Sequence, residues 1–381
     1  MSADERKPPK AELIDGVKES RLVTLVLHNN SATTTQCPDG YKPKPEEIPY
    51  PRPNNVFEEA LAVSAMFLAF TLGVLLPFIL MGCIPAVIFY RSKVAAALLV
   101  ITTVDWLLPA GKVWLGFRSA YFWDVMRRHF RLRNITPPVP FLDISKPLLG
   151  IHFPHAVFPM ANMLNPPLFG LPGTGTPEDV EGVIGGVLLT LPFYKHIFAW
   201  MGAHPADAKT FRNLLRRVSV GMQPEGLAGM TLGATPSREA IYISKRKGFI
   251  RIAIQCGADI CPVYHLGQSQ ILSFWGPENF IRRSRMLVGF MWGRWYLPLP
   301  RQHDIVSLGG HPIKGTGPGT SCMSDPDENQ NLHDQRHTLK ALTHMLVGLV
   351  WDRCYLPTLR QREIISIGSN PIKGTGRVNT P

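Results

Sequence analysis

The sequence predicts an α/β fold: a mixed α/β cytosolic domain that follows an N-terminal membrane helix or helical hairpin. Three observations carry this expectation. No charged residue occurs from Ala60 to Tyr90, and about 20 apolar residues in a helix already cross a ~30 Å hydrocarbon layer. From Lys146 onward, short apolar runs suited to strands, such as Leu148 to Ile151 and Ile260 to Leu266, alternate with amphipathic helical stretches. Between these regions, residues 111–146 hold seven Lys and Arg against two Asp, the bias of a cytosolic flank.

Taken in order, residues 1–55 mix eight basic with eight acidic side chains and many prolines, a composition that works against regular packing, so a disordered polar tail is expected there. No signal peptide or Arg-rich transit peptide is visible, and the start of the chain is placed in the cytosol. Residues 56–112 are expected to be embedded in the membrane. Gly73, Pro77, Gly82 and Pro85 make a kinked or re-entrant hairpin as suitable as one straight span, and Val94 to Ala110, interrupted by Asp105, is the return leg or an interfacial segment. Residues 113–344 form the globular domain. Within it, Phe249, Ile252, Ala253 and Cys256 share one helical face after Gly248, and that helix feeds a strand.

One internal repeat stands out. Met286 to Gly317 matches Met345 to Gly376 at 20 of 32 positions with a constant offset of 59. Two copies do not make a solenoid, which needs at least about three stacked units, so residues 345–381 read as a duplicated terminal segment. The first copy is assigned to the core. The second is either a redundant edge element or the product of an incorrect gene model.

The chain carries a formal net charge of +12, which favours an anionic partner: nucleic acid, an acidic membrane face or a phosphate-bearing substrate. Nucleic acid is set aside, because no zinc-finger spacing, RNP-like strand or basic heptad helix is present. Six scattered cysteines without a C-x-x-C pair speak against a disulfide framework or zinc site. No metal and no bound cofactor are expected.

Three stretches could carry chemistry. His155 follows the apolar run from Leu148 and is the candidate general base, since an imidazole can take the proton of an attacking alcohol near neutral pH; His152 is the weaker candidate. The common H-x-x-x-x-D pattern is absent, because Met160 stands five residues after His155. The glycines from Val220 to Met230 would let backbone N–H groups approach an oxyanion or a phosphate, although such clusters also mark ordinary turns. Lys245, Arg246 and Lys247 precede a helix start, where they suit a coenzyme A phosphate or a lipid surface as well as a solvated basic face.

In this order the fragments resemble the diacylglycerol acyltransferase type 2 family, which includes monoacylglycerol and wax alcohol acyltransferases. The likeness runs from about Ala60 to Ala341. It is strongest where Lys245 to Phe249 matches the family's R-K-G-F segment and Gly257 to Tyr264 its G-A-D strand. Phe153-Pro154-His155-Ala156 sits at the family's H-P-H-G motif, and Gly309 to Ile313 at its late G-x-P-I segment. Two departures accompany the match. Phe153 and Ala156 replace the motif's first and last residues, and where the family reads G-G-x-A-E this chain reads Glu225-Gly226-Leu227-Ala228-Gly229, its glutamate four residues early.

The resemblance implies a glycerolipid-acyltransferase-like domain facing the cytosol at the endoplasmic reticulum membrane, acyl-CoA as co-substrate, and diacylglycerol or a related neutral lipid as acceptor. His155 would be the general base and Glu225 its acidic partner. Phe153, Pro154, Gly226, Leu227 and Ala228 would line the substrates, with Lys245, Arg246 and Lys247 on the coenzyme A phosphates. The alternatives are a monoacylglycerol or long-chain-alcohol acyltransferase, a catalytically impaired lipid-binding homologue, and a membrane scaffold. Homo-oligomerisation is left open.

Overall fold

The computed structural model describes residues 23–27, 31–36, 48–70, 73, 75–136, 147–165, 180–232, 239–241, 243, 246–284, 288–315, 338 and 364–367. Lys245, much of the expected tail and most of the second repeat copy lie outside these residues. In chain order the strands are β1 Val23–Leu27, β2 Ala32–Gln36, β3 Arg133–Thr136, β4 Leu148–Phe153, β5 Val180–Ile184, β6 Ala203–Pro205, β7 Ser219–Met222, β8 Glu239–Ile241, β9 Asp259–Leu266, β10 Ser273–Trp275, β11 Phe290–Trp292, β12 Val306–Gly309 and β13 Ile364–Ile367. The helices are α1 Val56–Phe70, α2 Leu76–Tyr90, α3 Lys93–Leu107, α4 Leu115–Arg118, α5 Tyr121–His129, α6 Met160–Leu164, α7 Tyr194–Trp200, α8 Ala208–Leu215, α9 Leu227–Leu232, α10 Gly248–Gln255 and α11 Glu278–Ser284.

Nine strands form the main sheet in the order β1-β2-β3-β12-β9-β4-β7-β5-β6. The block β9-β4-β7-β5-β6 is parallel throughout, so its strands end at one edge, where crevices in open α/β sheets collect ligands. Alternate residues of the strands, among them Leu149, Ile151, Phe153, Val220, Ile260 and Tyr264, point to one face and form a core with Phe211, Leu214 and Leu215 of α8 and the apolar side of α10. The face expected for α10 is fully realised: Phe249, Ile252, Ala253 and Cys256 are all buried.

The first repeat copy supplies β12, buried along its length between β3 and β9. In the second copy, β13 pairs in parallel with β8, apart from the main sheet.

Two sequence expectations change. Inside the segment read as a disordered tail, β1 and β2 form an antiparallel pair that joins the sheet through β3. The β-branched runs Val-Thr-Leu-Val-Leu and Ala-Thr-Thr-Thr-Gln suit that pairing, and Ser31 to Thr35 and Ile48 are buried. The basic stretch also differs from a surface patch. Arg127, Arg128 and Arg133 are all buried. Arg127 pairs with Asp124, Arg128 with Glu58 at 2.8 Å, and Arg133 lies 3.9 Å from the Tyr50 ring centroid and 3.4 Å from Asp304. Three of the seven basic side chains of residues 111–146 are thus spent inside the domain.

The uncharged run is not one segment. Helix α1 opens with a reciprocal cap, the Glu58 N–H donating to Asn55 Oδ1 and the Asn55 N–H to Glu58 Oε2, both at 2.9 Å. Its Ala62, Met66 and Phe70 then enter a second core with Trp123 and Met126 of α5 and Met160 and Leu164 of α6. Thus α1 belongs to the globular domain. Helices α2 and α3 are joined only by Arg91 and Ser92, with Arg91 left-handed at φ 51 and Ser92 Oγ capping the Ala95 N–H. This hairpin exposes Phe78, Met81, Ile88, Phe89, Val94 and Leu107. At 15 residues each, its helices are about 22 Å long. No helix among the described residues is long and apolar enough to cross a membrane.

Helix α7 holds both ends of the hairpin. Tyr194 bonds through its hydroxyl to the Ala69 carbonyl at the end of α1, and its ring lies against Gly73. Lys195 donates to the carbonyls of Asp105, Trp106 (3.1 Å) and Leu108 (2.5 Å) at the end of α3. The Asp105 carboxylate takes the Phe193 N–H at 2.8 Å and faces His196 at 3.2 Å. Asp105, the residue that interrupts the apolar stretch, is therefore where the hairpin is clamped.

Glu58 ties α1 to α5 through Arg128, Arg52 and the Tyr121 hydroxyl, and the Arg52 guanidinium bonded to it holds its carboxyl well below the usual range. Removing one partner strands a buried charge. Glu58→Ala is expected to cost about 3–5 kcal/mol, measured as a loss of stability in urea, whereas Glu59→Ala, one-third exposed at its carboxylate, costs much less.

Candidate active site

His155 and Glu225 meet at the carboxyl edge of the parallel block. β4 and β7 are adjacent and parallel, and each runs into a short loop: Pro154-His155 after Phe153, and Gln223-Pro224-Glu225 after Met222. Glu225 is 0% exposed, and its Oε2 accepts the backbone N–H of His155 at 2.6 Å. The carboxylate thus fixes the loop that carries the imidazole. The ring is oriented separately: Nδ1 lies 2.9 Å from the Ala156 carbonyl, which can only accept, so Nδ1 carries the proton and Nε2 the lone pair. His155 is half-buried, and desolvation pulls its pKa below the ordinary histidine value. A neutral ring with a free Nε2 lone pair is the form a general base requires.

Gly229 explains the displaced glutamate. A Cβ there would stand 2.7 Å from the Cβ atoms of both Glu225 and His155, and 3.2 Å from the Glu225 carboxyl carbon. Positions 225 and 229 are about one helical turn apart, so a side chain from either enters the same space beside His155. With glutamate at 225, only glycine fits at 229. Ala156 has φ 54, a left-handed conformation that costs a residue with a Cβ about 1–2 kcal/mol and that glycine adopts without this cost.

The other expected residues divide. Phe153 is 0% exposed within the main core, so it packs rather than meeting a substrate. Pro154 is buried, its carbonyl taken by Gln268 Nε2 at 2.7 Å. Gly226, with φ 54 and open space at its Cβ position, leads with Leu227 and Ala228 into α9, all three partly exposed. Arg246 and Lys247 are exposed at the start of α10. His152 is buried and pairs with His265.

Gln268 escaped the sequence reading. Fully buried after β9, it bonds the Pro154 carbonyl with its amide nitrogen and the Ala161 N–H with its amide oxygen, the latter at 2.7 Å, so it locks the loop between β4 and α6. A glutamine directly after the left-handed Gly267 gave only a turn signal.

The exchange at 225 and 229 is testable. Gly229→Glu alone is expected to destabilise the chain and abolish any activity that depends on His155, because two side chains compete for one space; adding Glu225→Gly should restore thermal stability and turnover together. Additive losses in the double variant would show that the two positions are independent.

The family model for diacylglycerol acyltransferase matches residues 96–291, just over half of the chain. The chain is 27% identical over 177 residues to diacylglycerol O-acyltransferase 2 of Danio rerio, covering 44% of this chain and 48% of that protein. It is 24% identical over 213 residues to diacylglycerol O-acyltransferase 2 of Xenopus tropicalis, covering 53% and 55%, and 26% identical over 243 residues to human 2-acylglycerol O-acyltransferase 3, covering 55% and 68%. The match spans about half the length of the first two relatives. Among solved structures, the 1-acyl-sn-glycerophosphate acyltransferase of Thermotoga maritima overlaps 76% of this chain and 97% of its own at 10% identity and a TM-score of 0.36, below the level that establishes a common fold. With more than half of its length matched by the family model, the chain belongs to the diacylglycerol acyltransferase family.

Proposed function

We propose that this protein transfers the acyl group of acyl-CoA to the free hydroxyl of diacylglycerol, with His155 as general base. The observation that carries the reading is the fixed tautomer of His155: Nδ1–H is committed to the Ala156 carbonyl and Nε2 is left to take a proton. In the reaction, Nε2 removes the acceptor's hydroxyl proton while its oxygen attacks the thioester carbonyl. The new C–O bond forms, the C–S bond breaks, and the departing thiolate takes the proton from the imidazolium. Backbone donors of Gly226, Leu227 and Ala228 would face the developing oxyanion. Glu225 acts as a positioning residue through the His155 backbone.

Arg246 and Lys247 would meet the phosphates of coenzyme A. Only Cys256 to Ala258 separate α10 from β9, so the helix runs back along the strand and its start lies toward the edge where β4 ends. Lys245 joins them by sequence alone. The α2–α3 hairpin, with its exposed Phe78, Met81, Ile88 and Phe89, would enter one leaflet of the endoplasmic reticulum membrane from the cytosolic side, as a monotopic anchor. The relative named 2-acylglycerol O-acyltransferase 3 supports monoacylglycerol as the second reading of the acceptor.

The test is labelled acyl-CoA incorporation in membranes lacking triacylglycerol synthesis, with diacylglycerol and monoacylglycerol in competition. The parent should form triacylglycerol, and His155→Ala should lose about 10²–10⁴-fold in rate; absence of product from a folded, membrane-bound parent overturns the reading. The rate should be flat through neutral pH and fall only on the acid side, below the ordinary histidine value near 6.5, because burial lowers the pKa of His155 and protonation removes the base. A midpoint above pH 7 would exclude His155 from that role. Replacing Phe78, Ile88 and Phe89 by Asp together should abolish co-flotation with phosphatidylcholine vesicles while the domain stays folded.

A further inference from the structure

Gly150, Gly221 and Gly182 stand side by side on β4, β7 and β5, in register across three parallel strands. Cys261 on β9 and Ala203 on β6 extend the row on either side. Their neighbours Leu149, Ile151 and Val220 point into the main core, so the small residues floor the opposite face. Central strands spend their N–H and C=O groups on the ladder, and the glycine floor presents Cα hydrogens, an apolar surface. At Gly182 a Cβ would meet only the Gly221 carbonyl, at 3.9 Å. At Gly150 and Gly221 the nearest atoms belong to the sheet and to His152. Among the described residues no side chain other than His152 comes within 4 Å of these Cβ positions, so the row is the floor of an open, shallow trench.

His152 lies on the same face, two residues after Gly150, and is 8% exposed. Its Nε2 sits 3.2 Å and 3.6 Å from the Cβ positions of Gly150 and Gly221 and has no hydrogen-bond partner among the described residues. The other nitrogen is engaged: His152 Nδ1 meets His265 Nε2 at 2.9 Å, and His265 Nδ1 meets Ser307 Oγ at 2.9 Å. Ser307 Oγ also receives the Asn165 amide at 3.4 Å. Among the described residues His265 Nδ1 is the acceptor available to the buried Ser307 hydroxyl proton. That proton fixes the direction of the chain: His265 Nε2–H donates to His152 Nδ1, and His152 Nε2 carries a hydrogen that points at the glycine row. Burial lowers the pKa of His152 to about 4 and that of His265 well below its ordinary value, and pushes the Cys261 thiol up to about 12. All three groups are neutral, which suits an uncharged ligand.

We propose that the trench floored by Gly150, Gly221 and Gly182 holds the extended fatty chain of the acyl donor, and that His152 Nε2–H donates to its carbonyl oxygen. The assignment rests on the acyl-transfer reading. An apolar floor with a single neutral donor matches a long alkyl chain that carries one acceptor oxygen, and a glycine row excludes no part of it. Gly182 lies two strands, about 10 Å, from Gly150, so it meets the chain well beyond the carbonyl.

The experiment measures equilibrium binding of ketone analogues of palmitoyl-CoA and butyryl-CoA, which keep the carbonyl and cannot transfer, to the full chain in lipid nanodiscs. Gly182→Val places its side chain in open space and should raise the Kd of the palmitoyl analogue about ten-fold or more, with the butyryl analogue within about two-fold of the parent. His152→Phe should weaken both, and His152→Gln, which can accept from His265 and still donate, should restore them. Unchanged palmitoyl binding by a folded Gly182→Val protein overturns the trench, and unchanged binding of both analogues by His152→Phe overturns the donor. If His152→Phe does not fold, failure of a folded His152→Gln to bind like the parent does so instead. Acyl transfer by the same proteins is measured alongside, so a failure of acyl transfer is read separately from a failure to bind; a parent that binds neither analogue overturns this inference and the function on which it rests.

Discussion

The fold depends on the hydrogen-bonded placement of β4 between β9 and β7, parallel to both. A central strand has two faces and one end, and β4 uses all three. One face gives Leu149, Ile151 and Phe153 to the core under α8 and α10. The other carries Gly150 and His152, and the end delivers His155 beside Glu225 from β7. A slip of one residue in this register would exchange the apolar face for the glycine face. The burial of Leu149, Ile151 and Phe153 therefore also fixes where His155 emerges.

At the site, space is as decisive as charge. The carboxylate near His155 is present, but it comes from 225 rather than 229, and it acts on the loop's backbone. The vacancy at Gly229 is the counterpart of that move, since both positions address one volume between Glu225 and His155. Gln268 braces the same loop from the other side through the Pro154 carbonyl. In the proposed role of His155 as base, a backbone held at both Pro154 and His155 would leave little orientational freedom to lose, the condition for positioned proton transfer.

Sequence reading succeeded where a periodicity coincided with burial. β4, β9 and α10 have apolar positions that repeat at the strand or helix period and are all packed, and His155 followed from the end of one of those strands. It failed where polar residues are buried by partners remote in sequence. The arginines of α5 entered only as the positive bias of a cytosolic flank, and their burial was not legible because Glu58, the acid that neutralises Arg128, lies 70 residues away. The same residue belongs to the Asn55–Glu58 cap, whose spacing is legible, but the uncharged run behind it pointed to lipid. β1 and β2 were obscured by flanking prolines and charges. The contact of His152 with His265 joins residues 113 positions apart, and that of His265 with Ser307 residues 42 apart, with no sequence pattern that links them.

Tyr194 and Lys195 are consecutive, and between them they bind the end of α1, before the α2–α3 hairpin, and the end of α3. Among the described residues, the chain on both sides of the hairpin is therefore tied to one short helix. Under the proposed anchoring, the depth and tilt of α2 and α3 against a lipid surface would be passed on to α7 and to the β5–β6 side of the sheet. The height of the proposed catalytic edge above the headgroups would then be set by these two contacts, made when the domain folds.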